Sequence, residues 1–184
     1  YLDSSVLTLS FTERTNEKYQ IYFGQLHSHT SYSDGAGSCE DAYQHATNVD
    51  NLDFVAVTDH SNSFDNADSA SISDGSMSEE WKEGHALATQ YTTSGFVCIY
   101  GFEMTWSSGL GHINTFNTEG FQSRTQNEYK TYSTALQNYY ATLKTRPDSI
   151  SQFNHPGTTF GDFSDFAYYD EEIDKLITTI EVGN

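Results

Sequence analysis

Histidines at measured intervals open the chemistry of this chain. In His27-Ser-His29 an extended backbone points residues i and i+2 to the same side, so both imidazoles can reach one cation about 2 Å from each nitrogen. Thr58-Asp59-His60 follows a short β-branched run, and a histidine there often ligates a metal when a carboxylate orients its other nitrogen. Glu103, in Tyr100-Gly-Phe-Glu-Met-Thr, comes directly after an apolar run; buried and unpaired, its carboxylate would cost several kcal/mol, so it calls for a cation or a hydrogen-bond donor. Gly111-His112-Ile-Asn and Phe153-Asn-His155-Pro-Gly157 each set a histidine beside Gly or Pro, residues that fix tight turns and permit close backbone approach.

Taken singly, each motif has an ordinary reading. His-x-His can be two surface histidines, and Asp34-Gly35, in Ser31-Tyr-Ser-Asp-Gly-Ala-Gly, can be a turn whose Asp satisfies its own backbone. His60 can be a core histidine, and Glu103 can face solvent from an edge strand. Jointly those readings weaken. Of seven histidines, only His45 and His85 fall inside expected helices, and those two are read as surface or interface residues outside the site.

The elements that must position these groups alternate. Tyr19 to Leu26 alternates polar and apolar and reads as a strand; Ser38 to Ala46 opens with a capping residue and reads as a helix. Leu52 to Thr58 suits a buried parallel strand. A polar loop covers Ser61 to Ser78, and Met77 to Tyr91 forms a helix capped by Ser78. Phe96 to Tyr100 is a strand, with a hairpin partner at His112 to Asn117. A helix over Glu128 to Lys144, a strand at Ser149 to Asn154, and a last pair of elements near Glu171 to Leu176 and Thr178 to Val182 complete the chain. Strands separated by helices favour parallel βαβ units, in an α/β barrel or a doubly wound sheet. In a barrel, the loops past the carboxyl ends of the strands share one mouth, so residues far apart in sequence converge there.

Composition limits the rest. With 184 residues, 36% hydrophobic and 15% aromatic, the chain 1–184 reads as one domain. Against 26 Asp and Glu stand 8 Lys and Arg, a formal charge of -18 that repels nucleic acid and anionic membrane surfaces. Bound cations would offset part of it. No stretch approaches the roughly 20 apolar residues of a membrane span. Cys39 and Cys98 are too few and too far apart for a disulfide framework and read as small buried hydrophobes. The Ser, Thr, Asn, Asp and Tyr richness and Lys poverty suggest an extracellular or cell-surface setting.

The order His27-Ser-His29-Thr-Ser-Tyr-Ser-Asp34-Gly35, Thr58-Asp-His60, Gly101-Phe-Glu103, Gly111-His112 and Asn154-His155-Pro156 resembles the successive motifs of PHP (polymerase and histidinol phosphatase) domain metalloenzymes. The wording Tyr22-Phe-Gly-Gln-Leu-His-Ser-His-Thr looks most like the branch named for the carbaryl-hydrolysing CehA and McbA enzymes. The resemblance implies an α/β fold, a distorted (β/α)7 barrel of TIM-like form, with two or three divalent cations (Zn, Mn or Fe). It implies that His27 and His29 bind one metal, that Glu103 bridges it to a second held by His112 and His155, and that Asp34 and His60 serve a third. Asp59 would stand behind these ligands. The family pattern also asks for an Asp-x-His near the last strand. The sequence carries none, so the expectation is a domain that stops before its last strands, with a missing C-terminal segment as its complement.

What such a site implies is a metal-dependent phosphoesterase: paired cations acidify a shared water and aim it at phosphorus. Arg14, Arg124 and Arg146 are scattered and form no cluster that would grip a nucleotide. The expected substrate is therefore a small phosphate ester held mainly by metal. Carboxylic ester or carbamate hydrolysis at the same site is the nearest alternative, and a non-catalytic metal-stabilised module of a larger exported protein is another. Trp106 is read as a packing aromatic, with a place at the site's mouth as the other possibility.

Overall fold

Residues 19–49 and 51–183 are described by a computed structural model; Arg14 lies outside them. Six strands form one sheet in chain order: β1 (Gly24–Gln25), β2 (Phe54–Val57), β3 (Val97–Trp106), β4 (Gly111–Phe116), β5 (Ile150–Asn154) and β6 (Ile177–Ile180). The sheet curls into a half-barrel, with β1 and β6 at its edges. β1, β2 and β3 are parallel, β4 is antiparallel to both of its neighbours, and β5 and β6 are parallel again.

The fold is thus mixed α/β, with the expected hairpin set as an antiparallel insert among otherwise parallel strands. Gly109 (φ 76°) and Gly111 (φ 125°) adopt left-handed backbone between β3 and β4. That conformation is open to glycine at little cost, and it folds the chain into the hairpin expected between the strand at Phe96 to Tyr100 and its partner at His112 to Asn117. Pairing with β4 also carries β3 on to Trp106, well past the expected end at Tyr100.

The reversal has a consequence for the histidines. Because β4 runs backwards, its beginning lies at the same sheet edge as the ends of β2, β3, β5 and β6. His112, second residue of β4, pairs with Thr105 near the end of β3 and with Asn154 at the end of β5. A histidine at a strand's start and histidines past strand ends therefore meet.

Helices cover the sheet. α1 (Cys39–Ala46) begins with a reciprocal cap in which Ser38 Oγ accepts from the Asp41 amide and the Asp41 side chain accepts from the Ser38 amide. α2 (Glu79–Tyr91) is capped by Ser78, whose Oγ accepts from Trp81 N–H at 3.0 Å. The expected single helix at 128–144 is two, α3 (Asn127–Lys130) and α4 (Tyr132–Lys144). They are separated by Thr131, whose extended backbone (φ -83°, ψ 112°) cannot continue a helix. Two short helices, α5 (Phe163–Phe166) and α6 (Glu171–Asp174), precede β6.

The expected strand Tyr19 to Leu26 shrinks to two paired residues, since β1 has a neighbour on one side only. Tyr19, Ile21, Tyr22 and Phe23 are exposed beside it. Gly24 is needed there because a Cβ would fall 2.4 Å from the Phe54 carbonyl oxygen.

Tyr43, Tyr139, Phe102, Met104, Ile113, Leu136 and Leu143 are buried in the core. Trp106 is buried, donates to the Tyr129 carbonyl at 3.1 Å and packs edge-on to Tyr139, so it belongs to the core and not to a mouth. Cys39 and Cys98 are buried free thiols, as expected. Among the described residues no helix is long and apolar enough to cross a membrane.

Candidate metal centre

The site starts where β1 ends. Beyond Gln25 the chain stays beside β2: Thr58 N–H donates to the Ser28 carbonyl at 2.8 Å, and Ser28 Oγ donates to the Ala56 carbonyl at 2.6 Å. His27 and His29 consequently point the same way, with their Nε2 atoms 3.1 Å apart. Two ring nitrogens that close, each able to present a lone pair, suit one cation between them.

The next residues loop back. Gly35 N–H donates to the Thr30 carbonyl at 2.9 Å, and a Cβ on Gly35 would lie 2.2 Å from the His29 carbonyl oxygen, so only glycine fits. The turn delivers Asp34, with Oδ1 2.8 Å from His29 Nδ1 and Oδ2 3.5 Å from His60 Nε2. Asp59 locks this loop from beneath. Its buried carboxylate accepts from Thr30 N–H and Thr30 Oγ1, both at 2.7 Å, and from Ser33 Oγ.

Glu103 is the hub. It is fully buried, and around it stand His27 Nε2 at 3.2 Å, His29 Nε2 at 3.5 Å, His112 Nδ1 at 3.3 Å and His155 Nε2 at 3.7 Å, with His60 Nδ1 nearest. Two neighbours aim its oxygens: Asn154 Nδ2 donates to Oε1 at 2.7 Å, and Thr105 Oγ1 lies 3.0 Å from Oε2. Asn154 is itself held by Asn114 Oδ1 at 2.8 Å, and Asn114 donates to the Leu26 carbonyl at 2.9 Å. Main-chain pairing does the gross placement, since His60 and Glu103 form a parallel bridge between the extension of β2 and the middle of β3.

The electrostatics follow from this crowding. Burial pushes the Glu103 carboxyl up, but His112, His155, His27 and His29 together outweigh it and hold the group ionised. Burial pulls His29 down, yet Glu103 and Asp34 overcome this and push it up to about 9. His27 moves up for the same reason, with Glu103 and then Glu181 opposing burial. For His112 burial wins and the pKa falls. Asp34 is held below the ordinary carboxylate value, chiefly by His29.

Glu181 lies one residue past β6, whereas the sequence pattern puts it inside a strand at Thr178 to Val182 and so gives it no place at the site. Its Oε2 accepts the His155 backbone N–H at 3.0 Å and lies 3.2 Å from His27 Nδ1. His155 has φ 28°, rare for a non-glycine residue and costing on the order of 1–3 kcal/mol, so the Glu181 bond helps hold it there. The signal was available: Glu181 obeys the same strand-end rule that selected His60 and His155.

All seven expected residues, His27, His29, Asp34, His60, Glu103, His112 and His155, converge. Their groupings differ somewhat from expectation. Ligand atoms within 4.8 Å of one another form four sets: His27, His29 and Glu103; His29, Asp34 and His60; His60, Glu103 and His112; His27, His155 and Glu181. His29 joins Asp34 and His60, and His155 groups with Glu181. The donor set fits divalent cations, since imidazole nitrogens and carboxylate oxygens are the ligands of zinc, manganese and iron sites. Buried Nδ1 atoms of His112 and His155 that make no hydrogen bond support the fit.

The cluster floors an open cavity of about 1040 Å³, whose wall includes Pro156 to Phe160, Ile180 and Val182. A curled α/β sheet with imidazoles and carboxylates gathered at one edge defines a protein built around a metal-binding site. Residues 25–181 match the PHP domain, and the chain belongs to that family. It is similar to the crystal structure of a two-domain protein containing a predicted PHP-like metal-dependent phosphoesterase from Bacteroides vulgatus ATCC 8482, with a TM-score of 0.49 and 20% identity. That likeness covers 93% of this chain and 49% of the other, so the chain spans about half its length. No curated protein matches the chain.

Proposed function

We propose that this chain is a metal-dependent hydrolase of small phosphate esters, holding two or three divalent ions (zinc, manganese or iron) on His27, His29, Asp34, His60, Glu103, His112 and His155. The observation that carries the proposal is Glu103: a fully buried carboxylate ringed by five histidine nitrogens, a cost that cations at the cluster would offset. When bound, the ions would supply a water acidified toward neutral pH and Lewis-acid stabilisation of charge growing on the ester oxygens.

The chain's own residues prepare that chemistry. Asn154 and Thr105 fix the two Glu103 oxygens, and Asp59 pins the loop that brings Asp34 to His29 and His60. Glu181 faces His27 Nδ1, which leaves His27 Nε2 directed at His29 and Glu103. A carboxylate on the far nitrogen sets tautomer and ring orientation in metal-ligating histidines. The edges of the sheet at β1 and β6 leave Ile21, Phe23, Ile180 and Val182 exposed.

A second reading is favoured by one feature: no Lys or Arg lines the cavity among the described residues, which suits an uncharged carboxylic ester or carbamate as well. Elemental analysis of protein never exposed to added metal or chelator, paired with hydrolysis of p-nitrophenyl phosphate and p-nitrophenyl acetate, tests both. Two or more transition ions per chain and chelator-sensitive phosphate hydrolysis support the first; acetate hydrolysis alone supports the second. Tightly held metal without turnover would make the domain a metal-stabilised module, and a metal-free protein would end the proposal.

A further inference from the structure

The wall above His112 and His155 differs in kind from the floor. Residues Gly157 to Gly161 form a five-residue hairpin closed by two main-chain bonds, Gly157 N–H to the Gly161 carbonyl at 2.9 Å and Gly161 N–H to the Gly157 carbonyl at 2.8 Å. Its base is seated on the β3–β4 turn. Gly161 (φ 115°) lies so close that a Cβ would come 2.0 Å from the Gly109 carbonyl oxygen, and Phe163 N–H donates to the Leu110 carbonyl at 2.9 Å. The hairpin is therefore a fixed wall of the cavity.

Phe160 sits on that wall. Its ring centroid is 4.5 Å from His155 and 5.3 Å from His112, yet the residue remains 44% exposed and lines the cavity. One part of the ring rests on two candidate metal ligands and the rest is open to whatever occupies the site. Charge on the lining is one-sided: the carboxylates of Asp34 and Glu181 stand there with no Lys or Arg among the described residues. A first phosphate would be held by cations, but a second would meet carboxylates with no counter-charge, which disfavours nucleoside diphosphates and triphosphates. Beyond the phosphate, the wall offers an aromatic ring, exposed Ile180 and Val182, and the hydroxyls of Thr158 and Thr159. Such a surface binds a flat, uncharged group.

We propose that Phe160 is the platform of a leaving-group subsite, and that the substrate is a monophosphate ester of an aromatic alcohol. The inference rests on the phosphate-ester reading above. In the reaction, water oxygen bonds to phosphorus, the phosphorus–oxygen bond to the aryl group breaks with its electron pair staying on the aryl oxygen, and that oxygen takes a proton. The products are inorganic phosphate and a phenol.

Phenylphosphonate and methylphosphonate test this without turnover, since neither has an ester bond to lose. Calorimetric titration of the full chain with its native metals should show phenylphosphonate binding about tenfold more tightly, the scale of one aromatic contact. Phe160→Ala should bring the two to within about twofold, and Phe160→Trp should keep the preference, with metal content by elemental analysis unchanged in both. Equal affinities in the unaltered protein, a preference that survives Phe160→Ala, or loss of metal from Phe160→Ala would overturn the subsite alone. If neither phosphonate binds the metal-loaded protein, the phosphate reading falls and the subsite with it.

Discussion

Two regions of this molecule hold buried histidine nitrogens that make no hydrogen bond, and they mean different things. On α2, the His85 ring, whose Nε2 makes no hydrogen bond, packs against Trp81 (centroids 4.5 Å apart) and Tyr100 (5.2 Å), whose hydroxyl likewise makes none. Burial alone lowers its pKa, so His85 is neutral and packs as a flat amphipathic ring. At the sheet edge, His112 Nδ1 (3.3 Å from Glu103 Oε1) and His155 Nδ1 likewise make no hydrogen bond, but five imidazoles converge there on one buried carboxylate. An unpartnered nitrogen carries functional meaning when other lone pairs and a charge point at the same space.

Removing the charge at the hub breaks that distinction most severely. Glu103→Gln keeps the shape and leaves five histidines without their shared anion. Metal content should collapse and phosphate ester hydrolysis should fall by about 100-fold or more, the upper end of what lost support of a metal site costs. Elemental analysis and turnover check it together, and retention of both would show that Glu103 is a passive core carboxylate.

Glu181→Gln probes the support behind His27 and His155. It preserves the hydrogen-bonding shape and removes the charge facing His27 Nδ1, so metal affinity should drop by about tenfold while the fold persists. A competition titration against a chelator measures this; an unchanged affinity would make Glu181 a bystander.

Glu181 also marks the limit of what the sequence made legible. The strand-end rule found His27, His29, His60 and His155 because an alternating run, a β-branched run and a short strand at Ser149 to Asn154 announce where strands stop. It found Glu103 for a reason that was only partly right, since Glu103 lies inside β3, whereas His112 stands at the start of the hairpin partner as expected, second residue of β4. The Gly109 to Gly111 turn reversed the chain, and reversal turns a strand's start into a site-facing end. Pairing partners decide strand length, and they are remote in sequence. That is why β3 ran long and the expected strand at 19–26 shrank to two residues. The capping residues Ser38 and Ser78 were legible because capping is a local interaction. The four groupings of ligand atoms were not, since they depend on side-chain reach across the curl of the sheet.

Proton linkage sharpens the comparison at the metal-free edge. His29 is pushed up to about 9 there, above the ordinary histidine value. A group whose folded pKa is raised contributes stability fully present below its unfolded value, about 6.5, and lost as pH rises through the folded value. Chelated protein should therefore lose stability between about pH 6.5 and 9, a trend that urea unfolding at pH 6, 7.5 and 9 would reveal. The same proton must leave before His29 can ligate, so metal binding at pH 7 should release protons. Titration calorimetry in buffers of differing ionisation enthalpy reads that release, and buffer-independent heats would contradict it.

The smallest effect belongs to the other region. His85 donates no charge and its Nε2 has no partner, so a leucine there exchanges a desolvated polar atom for an apolar one of fitting size. A buried unsatisfied group costs about 1–3 kcal/mol, which lost ring contacts with Trp81 and Tyr100 would partly offset, at about 0.5–1.5 kcal/mol for an aromatic pair. His85→Leu should accordingly leave stability within about 1 kcal/mol of the parent or raise it slightly, with metal content and turnover unchanged. Urea unfolding with elemental analysis measures both sides. A loss of metal on this substitution would mean that α2 and the sheet edge are coupled through Tyr100 and β3, and that the two regions cannot be separated by their chemistry alone.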